Sequence, residues 1–466
     1  MICKNILLAY QLENYENIRF LKFIYSHPKF WIFGGNRQNI VWTKKAILIA
    51  ILTMFIFISK IISISFFMFP DGNLLIRLVS YSLVFLALPV YMIFANLLLW
   101  PIDRYLKNKI LKRAKAKLAS LKNLKIIGIT GSYGKTSQKE ILETILSGKF
   151  KVLSTSGNKN TPLGVSEAIL GELDETYDIF IVEMGAYQKG DIKELCDLVN
   201  PEIGILTGIT LQHLERFGSL ENIIQAKFEL PESIGENGLL ILDTTNENIA
   251  SGLKSRKSKL KCQNIIELRN PKNVSYLDNL GGIGFDYDNR KFTTKLLAEH
   301  SANQIITAYE IAKYLKMENS LIIEAIQKIT FTPHRLELIY NPNSNLYVID
   351  DSYNGNFERV KSTVKLLKNI NNHRKLYLSP GLVELGLESD KIHLEIGKML
   401  ANVIDKALLI ENSQTKMIEK GLLESGFNKA NIIHYSSTIS AHNDLSNIIN
   451  SGDVIVFQND LTDNYF

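Results

Sequence analysis

Residues 126–137 read IIGITGSYGKTS, an apolar run that stops at a glycine-rich turn and opens into a helical pattern over residues 138–146. Strand, phosphate loop and helix in that order confine this part of the chain to an α/β fold, with the turn at the end of a parallel strand. Gly131 and Gly134 let the backbone curl so that successive amides point at phosphate oxygens. Ser132 and Tyr133 are carried on the same turn, and the helix N-terminus adds its partial positive charge. Lys135 would reach the β- and γ-phosphates, and the Thr136 hydroxyl would ligate Mg²⁺. The strict G-x-x-x-x-G-K-[ST] pattern is not met, because Ile129 stands five positions before Gly134. An ordinary strand-to-helix turn is the plainer alternative, but the context favours nucleotide binding.

The 466 residues are enough for about three domains. A formal charge of +6 is mildly basic and unevenly spread, so a nucleic-acid partner is not indicated. Cys3, Cys196 and Cys262 are far apart, with no C-x-x-C pair. Neither a disulfide framework nor a cysteine zinc site follows, and a reducing compartment fits best.

Two hydrophobic stretches, residues 46–69 and 78–100, are each long enough to cross a hydrocarbon core that needs about 20 apolar residues. They predict a transmembrane helical hairpin, with a buried core helix as the alternative and Pro89 expected to kink the second span. Lys60 must face the second helix or reach an interface by its stem. The linking residues Pro70-Asp71-Gly72-Asn73 read as a turn, so both outer ends lie on one side. Lys44 and Lys45 before the first span, and Arg104, Lys107, Lys109, Lys112, Arg113, Lys115 and Lys117 after the second, place that side in the cytoplasm. Membrane lipids are then partners, and the location is the inner (cytoplasmic) membrane with the catalytic part in the cytoplasm. Residues 1–43 interleave basic and aromatic side chains, as in an interfacial segment or a poorly ordered tail.

The stretch TGSYGKT at 130–136 resembles the ATP loop of the Mur ligase family, ATP-dependent enzymes that join a carboxylate to an amine. From residue 124 onward strand and helix patterns alternate, as in a mostly parallel sheet covered by helices. Residues 178–185, DIFIVEMG, form a buried-strand run ending in Glu183, which is placed to hold Mg²⁺ or simply to end a strand in water. In the family the corresponding glutamate serves magnesium. A lone loop histidine is usually a surface residue, but Gln212-His213-Leu214 resembles the family segment whose histidine approaches a second magnesium. Leu220, Ile223, Ile224 and Lys227 share one helical face, setting an ammonium in line with an apolar stripe. Either the stem covers the stripe or the pKa is lowered enough for the amine to react with carbon dioxide. Ala226-Lys227-Phe228-Glu229 resembles the family segment in which this lysine is carbamylated. Asp243, Ser301 and Gln304 depart from asparagines usual in the family, and the helix from His300 reads as structural.

Pro333-His334-Arg335-Leu336-Glu337 marks a further domain, and the family more often has glycine at the place of His334. Arg335, delivered from a neighbouring domain, could pair with phosphate on closure. Residues 347–356, YVIDDSYNGN, resemble the nucleotide-contacting segment of the branch that adds D-alanyl-D-alanine in peptidoglycan synthesis, which implies nucleotide contacts from Asp350, Asp351, Tyr353 and Asn354. Residues 379–386, SPGLVELG, with His393 beyond, resemble the next motif of that branch, whereas Gln458-Asn459-Asp460-Leu461 departs from it.

The expectation is therefore a membrane hairpin and basic linker (1–120), a central P-loop ATPase-like parallel-sheet domain (121–331) and a C-terminal Rossmann-like domain (332–466). The implied reaction is amide-bond formation through an acyl phosphate, with ATP and Mg²⁺. A muramoyl-peptide or other carboxylate and an amino-acid or dipeptide amine would be the substrates. Lys135, Glu183, His213 and Lys227 would carry the chemistry, and Thr136, Glu183 and His213 the metal. The alternatives are a folylpolyglutamate-type ligase and a membrane-anchored nucleotide-binding scaffold.

Overall fold

The computed structural model describes residues 2–33, 39–68, 74–157, 159–210, 214–353, 355–383, 385, 388–411 and 413–458. The chain divides into two units, one of residues 1–110 and one built on residues 111–462.

In the first unit, helix Lys44–Ser63 is capped by Thr43, whose hydroxyl accepts from the Ala46 amide at 3.1 Å, and it runs on into a wider helical turn, Ile64–Met68. The second apolar stretch is broken at Ala87 into helices Leu74–Leu86 and Leu88–Ser120, bent by 50°. Pro89 explains the break, since it has no N–H for the Phe85 carbonyl and its ring crowds the preceding turn. The Lys45 ammonium lies 2.7 Å from Asp103 at one end of this arrangement, and the Ser65 and Tyr81 hydroxyls meet at 2.8 Å at the other. The helices therefore run antiparallel, while the expected turn at residues 70–73 lies outside the described residues. The first 33 residues are not a loose tail. Helices Ile2–Leu12, Asn17–Ser26 and Lys29–Phe33 bury Ile6, Tyr10, Phe20 and Trp31 against Ile49, Met92 and Ala95.

Among the described residues the second unit holds three sheets. The first is built from β1 (Lys125–Thr130), β2 (Val152–Ser154), β3 (Ile179–Glu183), β4 (Ile203–Leu206), β5 (Leu239–Leu242) and β6 (Asn264–Glu267) in the order β2-β3-β1-β4-β5-β6, all parallel. Both faces are apolar, which is why its strands read as unbroken runs rather than alternating ones. Ile127, Ile129, Ile179 and Ile181 enter one core, whereas Ile126, Phe180 and Val182 enter the other. An antiparallel three-stranded sheet follows, of β7 (Lys272–Tyr276), β8 (Ile283–Tyr287) and β9 (Arg290–Thr294), which the sequence reading did not single out.

The last sheet contains β10 (Glu337–Asn341), β11 (Leu346–Asp351), β12 (Lys375–Ser379), β13 (Lys406–Ile410), β14 (Ile432–Tyr435) and β15 (Val454–Gln458) in the order β10-β11-β15-β12-β13-β14. It is mixed rather than wholly parallel, because β10 pairs with β11 antiparallel at the edge.

Candidate functional site

The glycine turn leaves the C-terminal end of β1, at the point where the chain first crosses the sheet, the usual place for a ligand in doubly wound folds. Gly131 has φ +155° and Gly134 φ +77°. A β-carbon on Gly131 would lie 2.2 Å from the Thr207 hydroxyl, so the close approach excludes any side chain. The segment after β4 clamps the turn from outside. The Ser132 amide donates to the Gly208 carbonyl at 2.7 Å, and Thr207 Oγ1 donates to the Tyr133 carbonyl at 2.5 Å. Tyr133 OH accepts from Asn246 Nδ2 at 3.3 Å, and burial pushes the phenol up to about 12.

Thr136 and Glu183 meet directly. Helix Lys135–Leu146 starts at the turn, and Thr136 Oγ1 donates to Glu183 Oε2 at 2.9 Å, Glu183 being the last residue of β3, paired in register with Ile129. Asn160 Nδ2 donates to the other Glu183 oxygen at 3.4 Å, and the Glu183 amide donates to Thr155 Oγ1 at 3.1 Å. Arg335 arrives from the C-terminal sheet and donates to Thr136 Oγ1 at 3.3 Å. Glycine turn, acidic strand end and C-terminal arginine thus converge on one place. Lys135 donates to the Gly131 carbonyl at 2.8 Å, and its pKa is lowered by burial and by Arg335, against the pull of Glu183.

Lys139 belongs to this cluster too, although the sequence reading missed it. It is buried, donates to the Thr155 carbonyl at 2.5 Å and sits 3.9 Å from Glu183. Its spacing from Thr136 was the available signal, since i and i+3 share a helical face. Lys227 is 4% exposed, and burial first, then the nearby Lys135 charge, lower its pKa to about 7. Among the described residues no hydrogen bond or ion pair to its ammonium is found.

The Asp350 and Asp351 segment lies in the C-terminal sheet. Asp350 accepts from the Ser352 amide at 3.0 Å and lies 2.7 Å from His334 Nδ1, which raises the His334 pKa. Asp351 is fully buried, ion-paired with Arg359 and bonded to Gln458 Nε2, so its carboxylate serves the interior of this domain instead of reaching toward a nucleotide directly. The Tyr353 ring lies 5.2 Å from the Arg335 guanidinium. Asp243, in place of the asparagine expected near adenine, accepts from Asn303 Nδ2 at 3.2 Å. Gln304 Nε2 reaches the Gly134 carbonyl at 3.3 Å. His300, held by burial at a pKa of about 4, pairs with Ser362 Oγ at 3.2 Å. Tyr133, Ser137, His300, Gln304, Arg335 and Arg359 line one cleft. His393 is buried and accepts from the Leu382 amide at 2.8 Å. His213, Asn354, Glu384 and Asn459-Asp460-Leu461 lie outside the described residues.

Hard oxygen donors on Thr136 and Glu183 suit Mg²⁺ better than a soft metal. The glycine cradle, which a β-carbon would fill, suits a phosphate chain.

Profiles of two protein families match the chain, the Mur ligase middle domain over residues 129–312 and the Mur ligase glutamate ligase domain over residues 334–458. The chain is 27% identical over 347 residues to UDP-N-acetylmuramoyl-tripeptide--D-alanyl-D-alanine ligase of Bacillus subtilis, covering 74% of this chain and 75% of that protein. It is 30% identical over 304 residues to the protein of the same name from Rickettsia prowazekii, covering 63% and 67%. With the Escherichia coli protein of that name the identity is 30%, and the match covers 61% of this chain and 64% of that one. Among solved structures, MurF from Acinetobacter baumannii superposes with a TM-score of 0.66 at 22% identity, covering 76% of this chain and 78% of that chain. MurF from Thermotoga maritima in complex with ADP gives 0.64 at 24%, covering 76% and 80%. These superpositions show a common fold.

The buried amine at Lys227 makes a signed prediction. Its native pKa of about 7 lies below the ordinary 10.5, so between those values the unfolded chain keeps a proton that the native chain has lost. Stability contributed by this group rises with pH across that window and is lowest below it. In bicarbonate-free buffer, Lys227→Met should therefore be more stable than wild type at about pH 6, by on the order of 2 kcal/mol, with the difference shrinking by about pH 9 as read from denaturant unfolding.

Proposed function

Because the chain belongs to the Mur ligase family, we propose that it is an ATP-dependent, ADP-forming ligase that adds D-alanyl-D-alanine to a muramoyl-tripeptide precursor of peptidoglycan. The observation that carries this reading is the meeting of Thr136, Glu183 and Arg335 beside the glycine turn. A free carboxylate is a poor electrophile and must be activated. The substrate carboxylate attacks the γ-phosphate of ATP, the bond from phosphorus to the bridging oxygen breaks, and ADP leaves. The amine of the dipeptide then attacks the acyl carbon of the acyl phosphate, expels phosphate and loses a proton to give the amide.

Lys135 and Arg335, both part-buried, would face the transferring phosphoryl group with cationic charge. Thr136 and Glu183 would hold Mg²⁺, which neutralises charge on the phosphate oxygens when bound, and His213 is the further candidate ligand. Arg335, with Tyr353 stacked beside it, belongs to the C-terminal domain, so closure aligns the reactants and supplies rate through orientation. Lys227 acts as a carbamate. Its buried amine, neutral above about pH 7, attacks carbon dioxide, forms an N–C bond and releases a proton, leaving an anion that the nearby Lys135 charge would favour.

Residues 44–100 form a transmembrane hairpin at the cytoplasmic membrane, with the ATP-binding part in the cytoplasm. Supporting this, helix Lys44–Phe66 is long and apolar enough to cross a membrane and little of it is buried, and the bent pair Leu74–Leu86 and Leu88–Ser120 is together long and apolar enough to form a second span. Ile51, Phe55, Ile58, Leu83, Phe94 and Leu98 face outward, an apolar surface too large for water alone. Lys60 is exposed, consistent with an ammonium that reaches the headgroups on its stem.

Protein in lipid nanodiscs should release ADP only when muramoyl tripeptide and D-alanyl-D-alanine are both present, with the new amide seen by mass spectrometry. Lys135→Ala should lower this rate by roughly 100-fold or more. AMP as product, or ATP turnover independent of the amine, would contradict the reading. In 13C-bicarbonate the wild type should show a carbamate resonance that is missing from Lys227→Met. In a Cys3→Ser background, a membrane-impermeant thiol reagent should label Asp71→Cys from the outside of intact cells and Lys115→Cys only after lysis.

A further inference from the structure

Arg335 stands between two residues with backbone angles that side chains other than glycine's disfavour, His334 at φ +60° and Leu336 at φ +49°. Something must hold this turn, because an unconstrained chain would leave the left-handed region and swing the guanidinium away. The two halves of one buried ion pair do so. The carboxylate of Asp351, at the end of β11, accepts the Leu336 amide at 3.1 Å. Arg359, in the first turn of helix Phe357–Lys368, donates to the His334 carbonyl at 3.5 Å and to the Tyr353 carbonyl at 2.6 Å, and pairs with Asp351. The Tyr353 amide adds a bond to the same His334 carbonyl at 3.2 Å. The residue before Arg335 and the residue after it are thus fixed by Arg359 and Asp351 respectively. The helix that carries Arg359 is itself anchored, since Asn356 Oδ1 accepts the Arg359 amide at 3.1 Å.

Arg359 is an unexpected choice on charge alone. It lies close enough to Arg335 for the two guanidiniums to repel, and it is buried. A planar fork holds a carboxylate and two carbonyls in a fixed, spread geometry, whereas a lysine ammonium gathers its three donors at a single point. We infer that Arg359, acting with Asp351, is a positioning residue that clamps the strained turn around Arg335 and aims its guanidinium at the Thr136 hydroxyl.

This inference rests on the reading of Arg335 as a phosphate-facing group, and a double-mutant cycle separates the two. Arg359→Lys should raise KM for ATP about tenfold or more while leaving KM for D-alanyl-D-alanine near wild type. In an Arg335→Ala background the same change should have little further effect on KM for ATP, because the residue being aimed is gone. Asp351→Asn, which keeps an acceptor for the Leu336 amide, should show a smaller effect with the same dependence on Arg335. Equal losses in both backgrounds, or a lower melting temperature with unchanged ATP kinetics, would overturn the clamp. If neither variant folds, the wild type still decides. A slowly exchanging Arg335 guanidinium signal in nucleotide-free protein, assigned by its loss in Arg335→Lys, supports a clamp, and a signal averaged by free rotation overturns it. An Arg335→Ala enzyme with wild-type ATP kinetics would instead fault the phosphate-facing role itself.

Discussion

One buried carboxylate holds the site together. Glu183 is 4% exposed and faces Lys139, the Lys135 and Arg335 charges and the Thr136 hydroxyl, while its amide and second oxygen are taken by Thr155 and Asn160. Without that anion the cations would repel one another in a medium that screens poorly, and each would carry its own desolvation cost. The sheet makes the arrangement possible. β3 lies beside β1 in register, so the last residue of one strand and the turn after the other arrive together.

The cations are lent to Glu183 and remain in excess of it. A site in this electrostatic state prefers a further anion, and phosphate oxygens at the glycine turn would supply it. Burial first, and the nearby Lys135 charge second, explain why an amine at Lys227 is better neutral than left as an ammonium.

Much of the site was legible because its chemistry lies in consecutive residues. The glycine turn, Glu183 at the end of an apolar run and the DDSY segment each announce themselves locally. Lys139, Arg359 and the inward role of Asp351 do not, since their partners are brought near only by the fold. Asp351 shows the difference well, because its neighbour Asp350 looks identical in sequence yet lies only part-buried beside His334. The alternating patterns gave both large sheets but not the reversed strand β10, whose direction depends on the short connection to β11 and not on its composition. The packed helices of residues 2–33 were obscured by basic residues spread among aromatics, where the apolar stripes are short.

β10 begins only two residues beyond Arg335 and is laddered to β11 from Glu337 onward, with Glu337 opposite Asp350. The arginine is therefore mounted on the sheet like the tip of a rigid lever, with almost no slack between pivot and tip. While the Arg359 and Asp351 clamp holds the turn, moving the guanidinium off Thr136 would require the whole C-terminal sheet to turn. Release of a spent nucleotide and resetting of the lobe would then be a single mechanical event.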